Sequence, residues 1–200
     1  MIKLILLRKL TFVTPFACAM AMLGGCASSG PAGHFEDTGD RANVYVSAGH
    51  SSISKVAVMP FKAPTELIGV AVSDQILMEL LRTERYELVE RGQMAQVLGE
   101  QELSLAGLSA GQAAEVGAML GAEGVIIGTV SEYEKVAYRG KTIPVVGISA
   151  RLIDTKSGKI IWSSDLAQRA SSASVTLSEH SRKVVHELIG GVFAKMRQTK

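Results

Sequence analysis

Cysteines, histidines, a carboxylate pair and a Gly-Lys-Thr triplet are the groups in this 200-residue chain whose types and spacing could do chemistry. Gly140, Lys141 and Thr142 could close a phosphate-binding loop, but that pattern needs glycine at 135, where Lys135 stands. The segment that follows also reads as a strand, which offers no helix N-terminus to an anion. Gly147 to Arg151 lacks the last glycine of a nucleophile elbow, and Ser149 falls in mid-strand. His34, His50, His180 and His186 include no i, i+4 pair, and the last two lie about 240° apart around a helix. Solvated surface positions are expected for them. Glu132 and Glu134 share one face of a strand without a defined pocket, the pattern of a charged sheet edge and not of an acid and base couple. No catalytic residue, cofactor or metal ligand is expected.

Cys26 remains. It ends the run Leu23, Gly24, Gly25, Cys26, preceded by a basic start at Lys3, Arg8 and Lys9 and an apolar stretch from Leu10 to Leu23. That stretch falls short of the roughly 20 residues that cross a bilayer and has the layout of an export signal. It resembles the bacterial lipoprotein signal, whose L-x-G-C box implies acylation of Cys26 and removal of residues 1–25. Ala27, where retention at the inner membrane would call for Asp, implies the periplasmic face of the outer membrane. Cys18 lies in the removed piece, so the mature chain can form no intrachain disulfide and must be stabilised by packing.

After residue 25, 175 residues remain, enough for one domain. Three of the 21 basic residues and none of the 19 acidic ones leave with the signal, so the mature balance is 18 to 19. Bulk charge therefore gives no reason to expect a nucleic-acid or an anionic-lipid partner. Residues 26–50 are rich in Gly, Ser, Ala and Asp and read as a flexible tether, within which Asn43 to Ser47 could form a short strand. Residues 51–200 read as the folded domain.

Within it, Lys55 to Phe61 reads as a buried strand stopped by Pro60. Val72, Ile76, Leu77, Leu80 and Leu81 recur at helical spacing, and Arg85 to Glu90 reads as a strand, an order that favours a parallel crossover. A helix over 93–103 buries Met94, Val97 and Leu98. Another opens on the Ser109 and Gln112 capping box, shows Ala113, Val116, Gly117 and Leu120 on one face, and ends at Gly121. Gly124 to Val130 reads as a central strand; Ile143 to Asp154 and Lys159 to Ala167 form a hairpin turning at Gly158, and Trp162 is expected in or beside the core, with an exposed binding anchor as the alternative. A last helix from Thr176, boxed by Glu179, buries Val184, Val185, Leu188, Ile189, Val192, Phe193 and Met196. The expected class is α/β, one domain with a mixed, mostly antiparallel sheet in βαβααβββα order.

These segments resemble the curli-assembly lipoprotein family typified by CsgG and the related LpoB-type activators of penicillin-binding proteins. KVAVMPF (55–61), RYELVERGQMAQVLGEQ (85–101), GAEGVIIGTV (121–130) and ARLIDTKSGKIIWS (150–163) carry the likeness. Glu90 and Arg91 match its strand-to-helix junction, and Asp154 and Gly158 its hairpin turn. The resemblance implies a non-enzymatic periplasmic lipoprotein in curli-type secretion or envelope assembly, with envelope proteins as partners and a homo-oligomer compatible; an LpoB-like synthase activator is the alternative. The family's pore needs inserted hairpins of about 20 residues. The candidate insertion points, Glu132 to Thr142 and Leu166 to Val175, hold 11 and 10 residues, so a domain without the pore is expected.

Overall fold

The computed structural model describes residues 41–103 and 106–199. They form an open six-stranded sheet with four α-helices packed on it. β1 (Asn43–Val46) leads through a 3-10 turn at Ala48–Ser52 to β2 (Lys55–Val58), α1 (Glu66–Thr83), β3 (Glu87–Leu88), α2 (Arg91–Leu103) and α3 (Ala110–Met119). Then follow β4 (Gly124–Tyr138), β5 (Lys141–Asp154), β6 (Ile160–Arg169) and α4 (Leu177–Gln198). The strand order is β1-β6-β5-β4-β2-β3. β2 runs parallel to β3 and β4, and the other pairs are antiparallel, as expected of the mixed sheet.

Alternation along β4 produces the layers. Ile126 and Val130 enter one core with Val58, Leu152 and Trp162 beneath α1 and α4, while Val125 and Ile127 enter a second with Ala57 and Met59 beneath α2 and α3. Trp162 is fully buried. Its Nε1 and the Tyr86 hydroxyl are buried without a partner in hydrogen-bond geometry; burial pushes the Tyr86 phenol up, with the Trp162 side chain opposing that shift. Both capping boxes form, with Ser109 Oγ accepting from Gln112 N at 3.3 Å and Thr176 Oγ1 from Glu179 N at 3.2 Å. The small face of α3 does permit close approach: a Cβ on Gly117 would stand 2.2 Å from Thr155 Cγ2.

Four readings change. The strand considered at 43–47 forms as β1, so the fold begins inside the stretch assigned to the tether at 26–50; its partner, β6, lies over a hundred residues away. β4 and β5 continue past the expected strand ends to a turn at Arg139 and Gly140, because each supplies the other's ladder partners from Glu132↔Gly147 to Tyr138↔Lys141. Gly99 (φ 76°) breaks the helix expected over 93–103, leaving Val97 exposed while Met94 and Leu98 are buried. Leu81 is exposed as well, one step beyond the buried line of Val72, Ile76 and Leu80.

The sequence blocks around 55, 121 and 154 meet at one end of the sheet. Glu123 Oε2 accepts from Ser54 N and Oγ, both at 2.7 Å, and from Lys55 N at 3.3 Å; Thr155 Oγ1 donates to Ala122 O at 2.9 Å. These bonds, the Ser54 hydroxyl's first, hold the Glu123 carboxyl at about 2. A depressed carboxyl stabilises the fold fully above its ordinary value of 4.5 and loses that effect as pH falls through about 2. Glu123→Gln is therefore expected to lower the thermal midpoint at neutral pH, and the gap to the parent should close toward pH about 2. A gap independent of pH would show that the carboxylate's charge has no part in this junction.

Candidate interaction surface

Cys26 and His34 lie outside the described residues. Gly140 sits in the β4–β5 turn at φ 74°, and Lys141 and Thr142 open β5. Ser149 is exposed in mid-β5. Glu132 and Glu134 are exposed on β4 beyond the last residue that β2 pairs with, a charged edge as read from the sequence. His180 departs from its expected surface position: it is buried, with Nε2 2.9 Å from Gln168 O. Its place four residues before Val184 puts it on the line continued by Leu188 and Val192, a signal the search for i, i+4 histidine pairs passes over. His186 is exposed, its Nδ1 3.1 Å from Glu79 Oε2. Among the described residues no group of three His, Cys, Asp or Glu is gathered to hold a metal, and no helix is long and apolar enough to cross a membrane.

Clefts and faces are what the fold presents. One cleft of about 670 Å³ lies between α1 and α4, lined by Asp74, Met78, Glu79, Arg182 and His186. Ser181 Oγ, donating to Gln75 Oε1 at 2.7 Å, ties the two helices, and Glu79 joins Arg82 Nη1 at 2.6 Å to His186. Met78 is 53% and Leu67 79% exposed on α1, so this side is partly apolar.

A second cleft, about 900 Å³, runs where α4 crosses β1 and β6. Arg41, Arg169, Lys183 and Lys195 line it, with Glu187 as its carboxylate. Glu187 is already engaged, accepting from Gln168 Nε2 at 2.6 Å and pairing with Lys183 at 3.6 Å. Gly191 lets the helix lie close, since a Cβ there would stand 3.2 Å from Ala42 and Val44. The basic residues come from positions 41 to 195 and share no motif, so sequence spacing carries no sign of them; only the sheet order brings them together.

Fold and surfaces thus define a class: an α/β module with an open mixed sheet whose described residues present charged and apolar faces. The family of the curli production assembly/transport component CsgG matches residues 38–179, and the chain belongs to that family. No curated relative matches the chain. Its fold is similar to that of the PelC dodecamer from Paraburkholderia phytofirmans, with a TM-score of 0.55 and 18% identity over 75% of this chain and 94% of that one. Lipoprotein GNA1162 from Neisseria meningitidis is similar at a TM-score of 0.51 and 18% identity, over 72% and 99% of the two chains. The LpoB C-terminal domain from Salmonella enterica stands further off, at a TM-score of 0.44 and 15% identity over 57% and 82%.

Proposed function

We propose that this protein is a lipid-anchored accessory on the periplasmic side of the outer membrane, working without catalysis through protein contacts in curli-type secretion or envelope assembly. The observation that carries the reading is the family match over residues 38–179. Leu23-Gly24-Gly25-Cys26 supports the anchor, with residues 1–25 as the signal and the stretch from Cys26 toward Arg41 as the tether. One similar structure is described as a lipoprotein and another as a dodecamer, which favours self-assembly as part of the protein's role. Beyond the Lys62–Thr129 bridge the β4–β5 hairpin runs over Ser131 to Tyr138 and Lys141 to Gly147, eight and seven residues, under the 9 to 11 or so of a membrane-spanning strand, which favours a role without a pore.

Metabolic palmitate labelling tests the anchor. The parent chain is expected to take up label and stay with envelopes through a high-salt wash, and Cys26→Ala to lose the label and the salt-resistant attachment. An unlabelled parent chain free of envelopes would overturn the reading. Co-purification from envelope extracts tests the choice of partner. Curli-type secretion components are expected, whereas a penicillin-binding protein would favour the activator role.

A further inference from the structure

We propose that the tip of the β4–β5 hairpin and the loop between β6 and α4 form a binding site for the phosphates of anionic phospholipid headgroups, seating this end of the fold on the bilayer. The source of the phosphate rests on the anchored reading above; the site itself does not.

The hairpin turns through Arg139 at φ 49° and Gly140 at φ 74°. Arginine is an unfavourable choice for a left-handed turn position that Asn or Gly fills more easily, so its side chain stands at the tip at a conformational cost. The Arg139 guanidinium lies 5.2 Å from the centroid of the Tyr138 ring, and that of Arg169 lies 4.3 Å from the same centroid. The shared ring holds two like charges in place. Lys141 adds a third. None of these three cations has an ion pair or hydrogen bond to any described residue. All three are exposed, and they line a cavity of about 480 Å³ together with Ser171 and Ser172, with no carboxylate in its lining.

Uncompensated cations gathered on one aromatic ring repel one another, and an anion between them removes the repulsion. Guanidinium forks match two oxygens of a phosphate, and the ring leaves their outward N–H groups free to donate. The register Glu134↔Val145↔Arg169 puts the acidic edge of this face two strands from Arg169, about 10 Å away. That is beyond the screening length of about 8 Å at physiological salt, so the near-neutral balance of the whole chain does not cancel the local field.

The anion's source follows from where the chain enters. Arg41 lines the adjoining cleft, which shares Arg169 and Ser171 with the site and adds Lys183 and Lys195. Fourteen residues lie between Cys26 and Arg41, so the two can stand at most about 50 Å apart. Acylation of Cys26 would therefore keep Arg41 within about 50 Å of the bilayer.

The test uses the mature chain from residue 26 with Cys26→Ser, so that no acyl chain can carry the binding and the acidic Asp37 and Asp40 before Arg41 are present. Vesicles of phosphatidylcholine mixed with phosphatidylglycerol are compared with vesicles of phosphatidylcholine alone. Binding is expected to the anionic vesicles only, to weaken with salt, and to fall about thirtyfold in the Arg139→Gly, Arg169→Gln double variant, the effect of two basic residues at a charged surface. Glycine suits the turn, so the variant should keep its thermal midpoint. Equal partition into both vesicle types, or undiminished binding by the folded variant, would overturn the site. Full competition by inorganic phosphate at the concentration of lipid phosphate would overturn the membrane as its source. An unlabelled Cys26 in the intact chain would sink the anchored reading, a separate result from these vesicle measurements.

Discussion

Trp162→Ala is expected to destabilise the folded protein by about 3–5 kcal/mol, read as a lower denaturant midpoint with little change of slope. Trp162 is the largest of the fully buried side chains and pairs with Leu152 on β5 and Val46 on β1. Its removal leaves a cavity beneath α1 and α4 and withdraws the partner against which the short edge strand β1 packs. Amide exchange should therefore rise first over Asn43–Val46. Phenylalanine at this position should cost much less, because it keeps most of the buried ring. A loss under about 1 kcal/mol on Trp162→Ala would mean that the core collapses around the gap, contrary to the rigid packing of both faces.

Gly69→Ala is the second large effect, with a net loss of about 2 kcal/mol expected. Alanine is the better helix former by about 1 kcal/mol, so an open site on α1 would gain from the change. At Gly69 the added Cβ would stand 2.0 Å from Phe61 O and 3.2 Å from Phe61 C. Those are backbone atoms and cannot swing aside. Phe61 is held in turn by its own N–H to Gly69 O at 3.4 Å and by its ring against Gly128, where a Cβ would lie 2.2 Å from Cε2. Overpacking of this kind costs at the upper end of about 1–3 kcal/mol, outweighing the helix gain. A neutral or stabilising Gly69→Ala, measured by the same denaturation, would mean that α1 does not lie so close to the end of β2.

Much of this architecture is written in short-range pattern. Short apolar runs mark β2 and the start of β4, a glycine-containing connection marks the β5–β6 hairpin, period-3.6 stripes mark α1 and α4, and the Ser109 and Thr176 boxes form where they are read. Each such signal spans a few residues and reports a local preference that the fold does not overrule. Glu90 and Arg91 at the β3–α2 junction, and Asp154 with Gly158 at the β5–β6 turn, fall where the family likeness puts them.

The rest depends on distant partners. β1 reads in the sequence only as a possible strand inside a tether and takes its place through β6, and the far half of β4 forms only through β5, since Ser131 to Tyr138 has too little apolar alternation to read as a strand until the opposite ladder is present. His180 lies on the buried line of α4, but the Gln168 carbonyl oxygen that meets its ring nitrogen comes from another element. The basic end of the sheet is the clearest case. Arg41, Arg139, Lys141, Arg169, Lys183 and Lys195 average out to near-neutrality along the chain, and become one charged surface only when six strands and α4 have been ordered in space. Composition, periodicity and the motif at Cys26 suffice for the class of fold and for the expected anchor, because those depend on neighbours in the chain. The chemistry of the surface does not, because charge density is a property of distance, and distance between remote residues is set by the sheet.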